Sequence, residues 1–266
     1  MYDRYNRKIN YLRISVTDRC NLRCVYCMPP EGIELMRHAD ILTFSEIAEV
    51  TRTAVSLGVD KVRITGGEPL VRKGITDLVK MLAEIDGIRD LCMTTNGTLL
   101  DRFAAPLAAA GLHRVNISLD TLDPEKYRNI TRRGNLADVL RGIEAAKEAG
   151  LSPVKINCVV KQSSAEADAR AVKAFADANG LQARFIREMN LETGDFGVVE
   201  GGEGGNCSMC NRLRLTSDGK IKPCLFSDLG FDVRELGAEQ ALRLAIGDKP
   251  MSGTHSQGNK FSNIGG

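Results

Sequence analysis

Two groups of three cysteines carry the chemistry most readily available to this chain. Cys20, Cys24 and Cys27 are spaced C-x3-C-x2-C, and Cys207, Cys210 and Cys224 are spaced C-x2-C-x13-C. Three thiolates can hold three irons of a [4Fe–4S] cube and leave the fourth iron open, whereas ferredoxin-type carriers fill all four positions with cysteine. An open iron implies that another molecule binds there, so the spacing points to chemistry at the cluster as well as electron transfer. Zinc is the alternative, since it also takes three cysteines and a fourth ligand. Near the second triad a fourth ligand is missing: His255, the one histidine beyond it, lies 31 residues past Cys224. Cys92 and Cys158 each sit in an apolar run and read as buried structural thiols.

The elements that must position these groups alternate. Apolar, β-prone runs fall near Leu12–Ser15, Lys61–Thr65, Asp90–Thr95, Arg114–Leu119, Val154–Val160 and Gln182–Ile186. Helical patterns lie between them. Ser45 can cap a helix whose Ile47, Val50, Ala54 and Val55 share a face, ended by Gly58. Further helices read near Ile75–Glu84, Leu99–Ala110, Asn135–Ala149 and Ala165–Asn179, with Gly111, Gly150 and Gly180 as stops. Strands alternating with helices imply a parallel sheet, and ligands then bind in loops at the C-terminal strand ends. Cys20–Cys27 and the turn Gly66-Gly67-Glu68-Pro69 both follow such strands. In that turn paired glycines let backbone approach a ligand closely, and a carboxylate attracts an ammonium. Asp218-Gly219, between two short β-like runs, reads as a hairpin turn that returns Cys224 toward Cys207 and Cys210.

The first triad, with Tyr26 just before its third cysteine, resembles the radical S-adenosylmethionine superfamily, and the GGE turn agrees. Both triads, Arg212-x-Arg214 and the terminal Gly265-Gly266 together resemble the GTP 3′,8-cyclase (MoaA) family of molybdenum cofactor biosynthesis. The likeness runs from about Tyr11 to Met189, again from Cys207 to about Val233, and includes Ile264-Gly265-Gly266. It implies an α/β fold: a partial (β/α)6 barrel over 1–189, a linker over 190–206, and a small cluster-binding hairpin extension over 207–266. The activity implied is a lyase that converts GTP to 3′,8-cyclo-7,8-dihydroguanosine triphosphate. Its cofactors would be two [4Fe–4S] clusters and S-adenosyl-L-methionine. A 5′-deoxyadenosyl radical would remove H3′ of GTP, and the C3′ radical would attack C8. The other radical reading is an enzyme with an auxiliary cluster acting on a peptide, but such auxiliary domains often carry more cysteines than Cys207, Cys210 and Cys224.

The resemblance also assigns residues by position. Tyr26, Gly66, Gly67, Glu68, Thr94, Thr95, Asn96 and Ser118 match cofactor contacts. Arg13, Lys61, Arg63, Thr65, Lys155, Arg184, Arg212 and Arg214 match substrate contacts, and arginine suits a triphosphate because its planar fork binds phosphate bidentately. Lys61, Arg63 and Lys155 also interrupt apolar strands, and a charge facing a barrel interior needs a partner there. Arg212, Arg214, Gly265 and Gly266 would take part in catalysis. The implied partners are a flavodoxin or ferredoxin as electron donor and a downstream cyclic pyranopterin monophosphate synthase; a homodimer is compatible with the family.

One departure stands out. Family members have several tens of residues between the methionine matching Met189 and the second triad, where this chain has 17. Six of the twelve residues from Gly194 to Gly205 are glycine, which predicts a mobile linker. Composition narrows the partners. The chain has 266 residues, is 43% hydrophobic and 26% charged, and carries a net charge of +2. That charge gives no basic field for nucleic acid. No apolar stretch reaches membrane-span length and the N-terminus lacks a signal-peptide core. Two metal-like triads suit a reducing cytosol, so a cytoplasmic enzyme is expected.

Overall fold

A computed structural model describes residues 1–265; Gly266, assigned above to catalysis, lies outside the described residues. The parallel core is β1 (Tyr11–Ser15), β2 (Lys61–Thr65), β3 (Asp90–Thr95), β4 (Arg114–Ser118), β5 (Lys155–Val160) and β6 (Gln182–Arg187). Between these strands run α1 (Phe44–Ser56), α2 (Ile75–Ala83), α3 (Leu100–Ala109), α4 (Pro124–Thr131), α5 (Leu136–Glu148) and α6 (Ala167–Ala178). Then follow β7 (Arg212–Leu215), β8 (Lys220–Lys222), β9 (Phe231–Asp232), α7 (Val233–Leu236), α8 (Ala238–Gly247) and α9 (Phe261–Ile264).

The nine strands form one sheet in the order β6-β5-β4-β3-β2-β1-β7-β8-β9. The six-strand partial barrel is therefore present and open, with the hairpin extension continuing its sheet. β7 pairs parallel to β1, because the outer edge of β1 otherwise presents unpaired backbone groups. The chain then turns at Asp218-Gly219, so that β8 pairs antiparallel with β7 and Cys224 returns beside Cys210. One continuous apolar core lies under the helices, from Leu12 and Ile14 through Val62, Met93 and Ile117 to Ile156.

The predicted helices form within a residue or two of their expected bounds. Gly58, Gly111, Gly150 and Gly180 all take positive φ where those helices stop. The N-cap of α1 is Thr43, and Ser45 is already inside the helix. Thr43 Oγ1 accepts from the Glu46 N–H at 3.2 Å while Glu46 accepts from the Thr43 N–H at 2.7 Å, a reciprocal capping box. Residues 190–206 are more ordered than a plain linker. Phe185 and Glu200 exchange backbone hydrogen bonds of 3.0 Å each, and Asn190 pairs with Asp195. The open edge of β6 supplies the partners that glycine-rich composition alone could not reveal. Among the described residues no helix is long and apolar enough to cross a membrane.

Candidate active site

The concave side of the sheet encloses a cavity of about 630 Å³ lined by all six triad cysteines. The cofactor candidates Tyr26, Gly66, Gly67, Glu68, Thr94, Thr95, Asn96 and Ser118 line it as well, as do Arg13, Lys61, Arg63, Thr65, Lys155, Arg184, Arg212 and Arg214. At the strand C-terminal ends, Gly67 N–H donates to Thr17 O at 2.7 Å and Glu68 N–H to Arg19 O at 2.8 Å. The GGE turn is thus stitched to the loop that begins the first triad. A Cβ on Gly67 would fall on the Arg19 carbonyl, so this glycine is required by backbone packing, and not only by approach to a ligand.

Glu68 is buried beneath the turn. Its carboxylate accepts from Thr95 Oγ1 at 2.7 Å, Asn96 N–H at 2.7 Å and Leu70 N–H at 3.0 Å. Burial nevertheless raises its pKa to about 7. Asn96 also donates from Nδ2 to Asn21 Oδ1 at 2.9 Å, which ties the end of β3 to the cysteine loop. Tyr26 OH donates to Asp120 Oδ2 at 2.7 Å, and Asp120 Oδ1 accepts from the Val159 N–H at 2.8 Å. Asp120 lies two residues past the end of β4.

The thiols of the first triad suit a cationic group. Burial pushes Cys24 up to about 12, with Cys27 adding to it, and Cys27 up to about 11, with Cys20 adding to it. Three thiolates packed so closely need positive charge from a bound metal. Around the second triad the chain supplies charge itself. Lys249 is 2% exposed, and its ammonium donates to Pro223 O at 2.6 Å and Arg212 O at 2.7 Å. It lies against Cys210, whose pKa is lowered although burial opposes it. Among the described residues no three or more His, Cys, Asp or Glu side chains converge on a single-ion site. A zinc ion needs sulfur at about 2.3 Å all round, whereas a four-iron cube takes each thiolate at a separate corner. Both donor sets suit such a cluster.

Cations fill the other end of the cavity. Alternate residues of a strand share a face, and the register lines up Arg214, Arg13 and Arg63 across β7, β1 and β2. Arg212, Tyr11 and Lys61 form the row beside it. Burial, then Arg214, drives Arg13 well below its usual pKa. Arg214 falls to about 10, by burial and then Arg212. Burial and Arg63 lower Arg184, and burial and Arg184 lower Lys155. Arg114, which the sequence reading did not select, pairs with Asp90 at 2.6 Å. It opens its strand run as Lys61 and Lys155 open theirs, and the same signal identifies it. Tyr11, Asn157 and Lys249 also line the cavity with no distinguishing pattern in sequence.

The C-terminal tail reaches this charge. Ile264 is buried against Leu191, Leu225 and Phe226, and the Gly265 carbonyl accepts from Arg214 Nη1. Gly265 takes φ +73 and lies against Thr65, where a Cβ would collide with its hydroxyl. Cys92 and Cys158 are buried, as expected of structural thiols.

Residues 14–173 match the Radical SAM superfamily, and residues 151–249 match the family described as Molybdenum Cofactor Synthesis C. The chain is 40% identical over 320 positions to the GTP 3′,8-cyclase of Alkaliphilus oremlandii (strain OhILAs), covering 100% of both chains. It is 44% identical over 277 positions to the GTP 3′,8-cyclase of Peptoclostridium acidaminophilum, covering 88% of this chain and 85% of that one. The first alignment has 320 positions against 266 residues here, so at least 54 positions are gaps in this chain. The structure of Streptococcus suis SuiB bound to S-adenosylmethionine shares the fold, with TM-score 0.56 and 20% identity over 69% of this chain and 41% of that chain. The chain belongs to the radical S-adenosylmethionine superfamily and, within it, to the GTP 3′,8-cyclase family of molybdenum cofactor synthesis.

Proposed function

We propose that the protein is a GTP 3′,8-cyclase, a radical S-adenosylmethionine lyase, with one [4Fe–4S] cluster on Cys20, Cys24 and Cys27 and a second on Cys207, Cys210 and Cys224. The observation that carries the reading is the row Arg214–Arg13–Arg63, with Arg214 and Arg63 buried and Arg13 half-buried, lying in one cavity with both triads. Like charges buried together raise each other's cost, and a polyanion relieves it. A triphosphate held there leaves its nucleoside directed into the space between the triads. The peptide reading is not favoured, because the sequence relatives are GTP cyclases.

The bound S-adenosylmethionine and its cluster supply electron transfer and hydrogen-atom abstraction. The chain's own residues do the rest. The GGE turn, Thr95 and Asn96 shape one end, with Tyr26 fixed by Asp120. Arg212 and Arg214 stand beside the second triad, and Gly265 braces Arg214. Phe196, Gly197, Val199 and residues 202–206 line the cavity, so the shortened segment helps exclude water from reactive species. Reducing equivalents come from a flavodoxin or ferredoxin in the cytoplasm, and the product passes to a cyclic pyranopterin monophosphate synthase.

Anaerobic incubation with GTP, S-adenosylmethionine and dithionite tests the activity. GTP should disappear as 5′-deoxyadenosine forms in equal amount. Loss of one hydrogen atom and gain of an electron and a proton leave the product with the mass of GTP but a different retention. Deoxyadenosine formation that ignores GTP would defeat the substrate assignment. Reconstituted protein should bind about eight irons per chain, and about four would defeat the second cluster.

A further inference from the structure

We infer that Tyr11 is a further contact to the substrate, its hydroxyl donating to a phosphate oxygen between the guanidinium groups of Arg63 and Arg212. The inference rests on the GTP reading. Tyr11 opens β1 and stands in register between Lys61 of β2 and Arg212 of β7. Arg63 Cζ lies 5.5 Å from its ring centroid and Arg212 Cζ lies 5.6 Å from it. Two cations share one aromatic platform, and such contacts strengthen where water is excluded. Tyr11 is 8% exposed.

Its hydroxyl is buried and has no hydrogen-bond partner among the described residues, and Arg63 Nε and Arg184 Nε are in the same condition. All three residues line the cavity. Buried polar groups left without partners are costly and are rarely retained without a reason. Both Nε atoms can only donate, and a tyrosine hydroxyl can donate as well. The matching ligand presents several acceptor oxygens, negative charge and no donors. A polyphosphate does so; a ribose or a base would bring donors into a region already supplied with them.

Tyr11→Phe keeps the ring and both guanidinium contacts and removes only the hydroxyl. Calorimetry on the anaerobically reconstituted enzyme should follow GTP, inorganic triphosphate and guanosine. The variant is expected to bind GTP and inorganic triphosphate about tenfold more weakly, the effect of one hydrogen bond to a charged group, and guanosine as the wild type does. Unchanged iron content and S-adenosylmethionine affinity would show that the fold is intact. Tyr11→Leu should weaken triphosphate further, because Arg63 and Arg212 lose their platform. Equal affinity of wild type and Tyr11→Phe for triphosphate overturns the assignment, as does a loss confined to guanosine. A wild type that ignores GTP but binds triphosphate about tenfold more tightly than Tyr11→Phe keeps the phosphate contact and discards the GTP reading. A wild type that binds neither discards both.

Discussion

At the scale of single residues, charge decides the chemistry. Arg212 and Arg214 are neighbours on one face of β7, in register with Tyr11 and Arg13. Arg212→Ala and Arg214→Ala should keep both clusters and still cleave S-adenosylmethionine slowly. Their GTP-dependent product formation should fall at least tenfold, about 1.4 kcal/mol of transition-state stabilisation. Lysine should restore only part, because it lacks the planar fork; full rescue by lysine would argue against a bidentate grip. Glu68 offers a pH signature. Burial raises it from 4.5 to about 7, so across that window the native state holds a proton that the unfolded state has released. Stability therefore falls as pH rises through it. Urea unfolding of cluster-free protein at about pH 5 and about pH 8 should show wild type losing stability relative to Glu68→Gln. Parallel behaviour would mean that Glu68 titrates normally.

At the scale of elements, the site is a set of strand ends held by loops that bond to one another. The GGE turn donates two backbone hydrogen bonds to the Thr17–Arg19 segment, so the first triad is positioned by β2 as much as by its own strand. Gly67→Ala pushes a methyl group into the Arg19 carbonyl. It should cost about 2 kcal/mol of stability and weaken S-adenosylmethionine binding by more than tenfold, measured by thermal unfolding and equilibrium dialysis. Near-wild-type values for both would show that the loops separate easily. The α1 cap joins barrel and extension in the same way, since Glu46 also receives Arg234 of α7 at 2.7 Å.

At the scale of the whole molecule, the two ends of the sequence meet in one cavity. β7 completes β1, and the tail runs back over Leu191, Leu225 and Phe226 to place Gly265 against Arg214 and Thr65. Deleting Gly265 and Gly266 should leave iron content and S-adenosylmethionine cleavage near wild type while cyclisation falls at least tenfold. Arg214 would lose the carbonyl that braces it. Product formation at the wild-type rate after the deletion would reduce the tail to a surface cover.

The sequence by itself determined the local features and the chemistry of the ligands. Period-two and helical patterns with glycine stops located the parallel strands and most helices, because backbone geometry repeats over a few residues. The cysteine spacings and the GGE turn singled out residues that line the cavity, for the same reason. Only the tertiary structure decided what depends on contacts between distant segments. It set β7 beside β1, aligned Arg214, Arg13 and Arg63, buried Lys249 under the second triad and seated Tyr11 between two guanidinium groups. It also gave residues 190–206 a place on the edge of β6, where composition suggested a mobile linker. Those placements depend on register and on the unpaired strand edges of a folded sheet, and neither quantity is written in any short window of sequence.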